Sequence, residues 1–239
     1  MKRAVIVAHY NKHGALRSDT LALLRVLSAN FEKVSLVSTF LDKNQIPLIP
    51  DNVEVMIREN IGYDFYSYRL GLLSILNQSY DYVTIINTSF LCIDIDKFIN
   101  NAMSVTHINS VFGISKSHMV GQHVQSYFYT IPSTVFNRHD VVSWFLNMTP
   151  ISIRNDVIFK YEIGFSKFLI DRGIPLIALH ESHHQCDPTQ IEWQTILERA
   201  GIIKISLLKS NTYGLDLSHL YELAKDHIIS DLFNQGLED

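Results

Sequence analysis

Ala4-Val5-Ile6-Val7-Ala8 and Tyr82-Val83-Thr84-Ile85-Ile86 are the two runs whose reading decides the fold. Each is close to continuously apolar and rich in β-branched residues, the pattern of a strand covered on both faces. They predict strands over residues 3–9 and 81–87. Between them, residues 33–39 and 53–58 are further β-branched runs, and residues 19–29 and 65–76 carry helical spacing. Strands separated by helices of this length need crossover connections, and so a mostly parallel sheet. The fold class expected is α/β, with helices flanking that sheet.

The remainder reads less regularly. Residues 110–115 and 122–131 are strand-like, and residues 156–172 predict one helix whose apolar stripe is Val157, Tyr161, Phe165, Phe168 and Leu169. Gly173 stands where a helix commonly ends, and residues 174–179 form another short buried strand. A strand is expected around 203–208 and a last helix over 218–233. With no repeat and no Gly/Ser linker, residues 1–215 read as one domain and 216–239 as a helical appendage packed on it.

Composition narrows the partners. Of 239 residues 47% are apolar, which excludes a disordered chain, and the net charge of −4 argues against nucleic acid as a partner. Cys92 and Cys186, with no secretory leader in evidence, point to a reducing compartment. The apolar stretch at 4–8 is shorter than the ~7–15 residues of a leader's core, and no run approaches the ~18–20 of a membrane span. A cytoplasmic protein is expected, with attachment at the inner face of the cell membrane left open.

Four constellations carry chemistry. Arg58-Glu59-Asn60-Ile61-Gly62-Tyr63-Asp64-Phe65 leaves a strand, turns at Gly62 and enters a helix, with Asp64 as the expected N-cap. Such a helix start concentrates unpaired N–H groups and positive dipole, suited to a diphosphate, and Arg58 and Arg69 would add forked donors. An ordinary capped turn with two solvated arginines is the alternative. Asn87-Thr88-Ser89 follows a strand at the end where ligands of open α/β sheets bind; its amide and hydroxyls suit a sugar or phosphate better than magnesium. Glu162 flanks the apolar stripe of its helix, where partial withdrawal from water suits a general base, and Gly164 beside it implies a closely packed neighbour. Lastly, His123, Gln125, Tyr127 and Tyr129 alternate with Val124, Ser126 and Phe128, so that one strand face would offer imidazole, amide and phenol groups to sugar hydroxyls. Asp94 and Asp96 read as N-terminal acids of a helix. His180-Glu181-Ser182-His183-His184 has the letters of a zinc-hydrolase motif, but follows a β-like run where the motif needs a helix.

In order along the chain, these segments resemble the rhamnan synthesis F protein family of bacterial polysaccharide glycosyltransferases. The resemblance rests on Val5-Ile6-Val7-Ala8-His9-Tyr10, Val37-Ser38-Thr39, residues 58–65, residues 80–89, Phe112-Gly113-Ile114-Ser115 and His123-Val124-Gln125-Ser126-Tyr127-Phe128. Further on it includes residues 157–164, with their Tyr-Glu-x-Gly, and Asp187-Pro188-Thr189 with Trp193. It implies a GT-A-like fold and transfer of a deoxyhexose, typically rhamnose, from a nucleotide diphosphate sugar to a growing glycan, free or lipid-linked. Carried over, His9, Arg58, Asn60, Gly62, Tyr63, Asp64 and Arg69 would hold the nucleotide and diphosphate, with Asn87, Thr88 and Ser89 beside them. His123, Gln125, Ser126 and Tyr127 would meet the acceptor, and Glu162 would be the base of an inverting displacement. The family usually reads Asn-Asp-Ser where this chain has Asn87-Thr88-Ser89. That departure leaves dependence on Mg2+ or Mn2+ open, and it motivates the competing reading of a catalytically silent glycan-binding or scaffold subunit.

Overall fold

The computed structural model describes residues 1–238. The amino-terminal part alternates as expected: β1 (Arg3–His9), α1 (Ser18–Asn30), β2 (Lys33–Ser38), β3 (Val53–Ile57), α2 (Tyr63–Ser74) and β4 (Tyr82–Asn87). A short β5 (Phe90–Cys92) and α3 (Ile95–Met103) follow. Next come β6 (Val111–Ser117), β7 (His123–Val124), β8 (Phe128–Pro132), α4 (Ser133–Phe136) and α5 (His139–Leu146). The last part holds α6 (Arg154–Val157), a π-helical turn (Ile158–Ile163), α7 (Gly164–Ile170), β9 (Leu176–Glu181), α8 (Pro188–Ile191) and α9 (Trp193–Ala200). It ends with β10 (Ile202–Lys204), α10 (Ile205–Ser210), α11 (Ser218–Leu223) and α12 (His227–Glu238).

The main sheet runs β3-β2-β1-β4-β8-β6-β7, with β9 also on β6. β1 pairs in parallel with β2 and β4, β2 with β3, and β6 with β9; β8 is antiparallel to both β4 and β6. The sheet is therefore mostly parallel, as the sequence implies. Its two faces sort by the two-residue period of β1. Val5 and Val7 pack with Leu23, Leu24 and Leu27 of α1 and Phe98 of α3. Ala4, Ile6 and Ala8 pack with Tyr68 and Leu72 of α2 and with Phe145, Phe165 and Leu169. Each such fully buried apolar side chain contributes roughly 1.5–3 kcal/mol. Gly71 lets α2 lie against β1, since a Cβ there would stand 2.4 Å from Ile6 Cγ2.

A second, two-stranded sheet pairs β10 with β5, antiparallel. Its apolar side, Leu91 and Ile203, packs with Ile205 of α10 and with Trp193, Leu220, Leu232 and Phe233, so α11 and α12 cover this small sheet. No helix of the described residues is long and apolar enough to cross a membrane.

Several expectations are corrected. The strand expected over 122–131 is split into β7 and β8: the Ser126 N–H turns to the Glu162 carboxylate, while Gln125 and Tyr127 keep single main-chain bonds to Ser115 and Asn87. Consequently Tyr127 and Tyr129 do not share a face: Tyr127 joins the core beside Phe128, and Tyr129 the core of the opposite face. The helix expected over 156–172 is interrupted by the π turn, and Gly164 has no closely packed partner; a Cβ there would meet only the Phe159 carbonyl, at 3.3 Å. Residues 203–208 turn from strand to helix after Lys204, and the helix expected over 218–233 is two. The N-cap of α2 is Gly62 and not Asp64, with Gly62 at φ 72°. Asp94 does cap α3, accepting the Lys97 N–H at 2.9 Å.

Candidate active site

The parallel strands end on one side of the sheet, and β1 and β4 deliver His9 and Asn87 there in adjacent register, Ala8 opposite Asn87. α2 starts over the same edge. Its Asp64 accepts a hydrogen bond from Asn87 Nδ2 at 2.8 Å. Asn87 Oδ1 in turn accepts the Ser89 N–H at 3.1 Å and the Ser89 O–H at 2.5 Å. Burial raises the Asp64 pKa, opposed by the charges of Lys204 and Arg58 and by the Asn87 bond.

Lys204, which sequence reasoning missed, completes this line. The pairing of β10 with β5 sets Lys204 opposite Phe90, next to Ser89, and its Nζ donates to Ser89 Oγ. The ammonium lies 4.7 Å from the centre of the Tyr127 ring, a favourable cation–π distance. Burial pulls its pKa down to about 8, resisted by the more distant carboxylates of Asp187, Asp64 and Glu162, while Arg154 lowers it further. A directed chain results: Lys204 donates to Ser89, Ser89 to Asn87, and Asn87 to Asp64.

Glu162 is carried on the π turn. Its Oε2 accepts the Ser126 N–H at 2.9 Å and the Ser126 hydroxyl; His123 Nε2 lies 3.7 Å from Oε1, beyond hydrogen-bond distance. The Glu162 charge is felt at both Lys204 and Asp64. The break in the strand between β7 and β8 frees the Ser126 N–H to make this bond. π turns recur at functional sites because the extra residue re-aims a side chain.

Other expected residues are placed nearby but otherwise engaged. His9 bonds Ser38 Oγ at 2.8 Å and the Ala15 carbonyl at 3.1 Å, pinning the loop after β1. Arg58 donates to Ser67 Oγ and to the carbonyls of Glu59, Ile61 and Tyr63, so its fork braces the turn before α2. Arg69 reaches the Leu146 carbonyl at 3.4 Å and lies over the Tyr66 ring. Asn60 and Tyr63 are exposed on the turn. Thr88 is buried, its N–H on the Ala8 carbonyl. Gln125 donates to Asp187 at 2.9 Å and accepts from Ser115, which also bonds the buried Tyr127 hydroxyl at 2.8 Å.

The zinc-motif letters lie on the end of β9 and the loop after it, without the helix that would set both histidines on one face. There, His180 Nε2 is 3.0 Å from Glu192 Oε2. Among the described residues, no three His, Cys, Asp or Glu side chains converge as a metal site. The Asn87-Thr88-Ser89 donors do not suit Mg2+ or Mn2+ either. The Asn87 carbonyl already accepts two hydrogen bonds, Ser89 Oγ faces an ammonium, and no acid stands at position 88.

The α/β sheet thus gathers polar and charged side chains at the carboxyl ends of its parallel strands, the end at which open α/β sheets bind ligands. A family model for rhamnan synthesis protein F matches residues 37–227. The chain belongs to that family, and with it to the glycosyltransferases. No curated protein sequence matches the chain. Among solved structures it is similar to a nucleotide-diphospho-sugar transferase from Desulfovibrio desulfuricans G20, with 10% identity, 76% of this chain and 81% of that one covered, and a TM-score of 0.44. It is also similar to glucosyl-3-phosphoglycerate synthase from Mycobacterium tuberculosis in complex with Mn2+, UDP and glucosyl-3-phosphoglycerate (13%, 83% and 77%, 0.46). A third is a glycosyltransferase involved in glycosylation of the major capsid of PBCV-1 (8%, 86% and 94%, 0.47).

Proposed function

We propose that the protein transfers a deoxyhexose, with rhamnose the first candidate, from a nucleotide diphosphate sugar to a growing bacterial surface polysaccharide, inverting the anomeric carbon. The observation that carries this reading is Glu162: one carboxylate oxygen is held by Ser126, and the other makes no hydrogen bond and has His123 Nε2 3.7 Å away, while its charge reaches Lys204 and Asp64. In the reaction, Oε1 accepts the acceptor hydroxyl proton as that oxygen bonds to the anomeric carbon. The bond from that carbon to the phosphate oxygen breaks, and its electron pair leaves on the nucleoside diphosphate. The N–H groups at the start of α2, with the dipole behind them, favour that charge. Gly62, at φ 72°, lets the chain turn into that helix with Tyr66 packed against it.

Glu162→Gln tests the assignment. It is expected to lower turnover ~10²–10⁴-fold with the nucleotide affinity and melting temperature retained. Near-normal turnover would remove the role, and a product of retained configuration by NMR would remove the inversion. The donor is identified by thermal shift against dTDP-rhamnose and UDP- and GDP-sugars, where a ligand at 100 times its Kd adds ~2.7 kcal/mol. The non-acidic Thr88 favours one competing reading, a silent glycan-binding subunit. Calorimetric binding of free glycan with no nucleotide affinity would select it.

A further inference from the structure

We propose that the Lys204 ammonium, in place of a divalent cation, is the positive charge that meets the donor diphosphate, so that this chain binds nucleoside diphosphates without metal. This deepens the donor-site reading above and rests on it.

The first support is position. β10 exists as a strand because Ile202 and Ile203 pair with Cys92 and Leu91, and the same ladder carries Lys204 to the Asn87–Ser89 edge. The cation thus stands at the carboxyl end of β4, beside the triplet that carries no acid at position 88. The second support is the donor chain. Each proton from Lys204 through Ser89 and Asn87 to Asp64 points away from the ammonium, so the Ser89 oxygen turns its lone pair toward the cation and the Asn87 carbonyl is occupied. A second cation would compete with Lys204 for the same oxygen and be repelled by it.

The third support is what Lys204 lacks. An ammonium has three N–H donors. One is used on Ser89, and among the described residues the other two meet no hydrogen-bond acceptor, while no carboxylate lies within ion-pair distance. Asp64, Glu162 and Asp187 act on it only from further away, and Arg154 adds positive charge. The Tyr127 ring covers one side. A largely buried cation so arranged leaves two donors for an anion that reaches this edge of the sheet, and a diphosphate offers charge-assisted acceptors.

The test is calorimetry of the full chain with UDP, GDP and dTDP, once after EDTA treatment and once with added Mn2+. The nucleotide that binds best is expected to do so within about twofold in both conditions. Lys204→Met is expected to weaken it about 10–100-fold, with partial recovery in Lys204→Arg. The melting temperature of Lys204→Met should be equal or higher, because a costly buried charge is removed; if that variant fails to fold, Lys204→Gln takes its place. Binding that needs Mn2+, or wild-type affinity in a folded Lys204→Met, overturns the inference and leaves the transferase reading standing. Absence of binding by all three nucleotides in both conditions removes the donor-site reading, and the inference with it.

Discussion

The two walls of the site are built differently. One wall is the edge of β1, β4 and α2, in which strands and helices keep their periods and polar groups satisfy one another. Arg58 is bound to the carbonyls of its own turn, His9 to Ser38 and Ala15, and Asp64 to Asn87. The other wall is assembled from interruptions: the gap between β7 and β8, the π turn, and a strand that becomes a helix directly after Lys204. That wall presents Glu162 Oε1, which makes no hydrogen bond and has only His123 within ion-pair distance, and the two unused Lys204 donors. Regular structure consumes its own hydrogen-bonding capacity. Groups that must serve a ligand therefore stand where the period breaks.

If this contrast is right, loosening the irregular wall should reduce catalysis with little effect on stability. Ser126→Ala removes the hydroxyl that holds Glu162 Oε2 but keeps the main-chain N–H bond. A hydrogen bond to a charged group is worth ~1.5–3 kcal/mol, so kcat is expected to fall about 10–100-fold, with the nucleotide KM unchanged. An equal rise in KM without loss of kcat would mean that Ser126 serves binding, and the contrast would fail at its strongest point.

The pH dependence gives the next largest effect. The folded Lys204 titrates at about 8, below its unfolded value, with burial as the main cause. Between the two values the unfolded chain binds more protons, so the contribution of this group to stability rises with pH there. Diphosphate affinity should move the other way, falling as pH climbs past about 8 by at most tenfold per unit. Asp64, Glu162, Asp187 and Arg154 face the same ammonium, so the comparison is between wild type and Lys204→Met, whose affinity should be flat over that range. A wild-type profile parallel to that of the variant would separate the ammonium from the ligand.

The same contrast explains what could be read from sequence. Continuous apolar runs at 4–8 and 82–86 made the parallel half legible, since burial on both faces leaves no other arrangement. Glu162 and Ser126 were legible as residue types, but their meeting was not, because it depends on one strand breaking and one helix widening, neither of which leaves a periodic trace. Lys204 had a signal that went unused: a lone charge between Ile203 and Ile205, in a run otherwise fit for a core. Arg58 is the opposite case. A forked cation before a helix start looks like an anion binder, and here it is turned inward on its own loop.

Two glycines sharpen the contrast at the smallest scale. Gly71 sits in the regular wall, where a Cβ would press on Ile6 Cγ2 at 2.4 Å inside a filled core. Gly71→Ala gains ~1 kcal/mol of helix propensity but meets overpacking of ~1–3 kcal/mol, so a net loss of about 1 kcal/mol is expected. At 2–4 °C per kcal/mol for a chain of about this size, calorimetric melting resolves it. Gly164 stands at the end of the π turn with ordinary helical φ, and a Cβ there would touch only the Phe159 carbonyl at 3.3 Å. Gly164→Ala therefore exchanges the same ~1 kcal/mol of propensity against a mild push on one carbonyl, and its melting temperature should stay within about 2 °C of wild type. That carbonyl belongs to the turn that aims Glu162, so turnover is the more sensitive reading. A variant that melts normally but turns over more slowly would mean that the widened turn, and not the packing around it, sets the position of the base. A large loss of stability at Gly164 would instead mean that the irregular wall is as tightly determined as the regular one, and the distinction between them would fall.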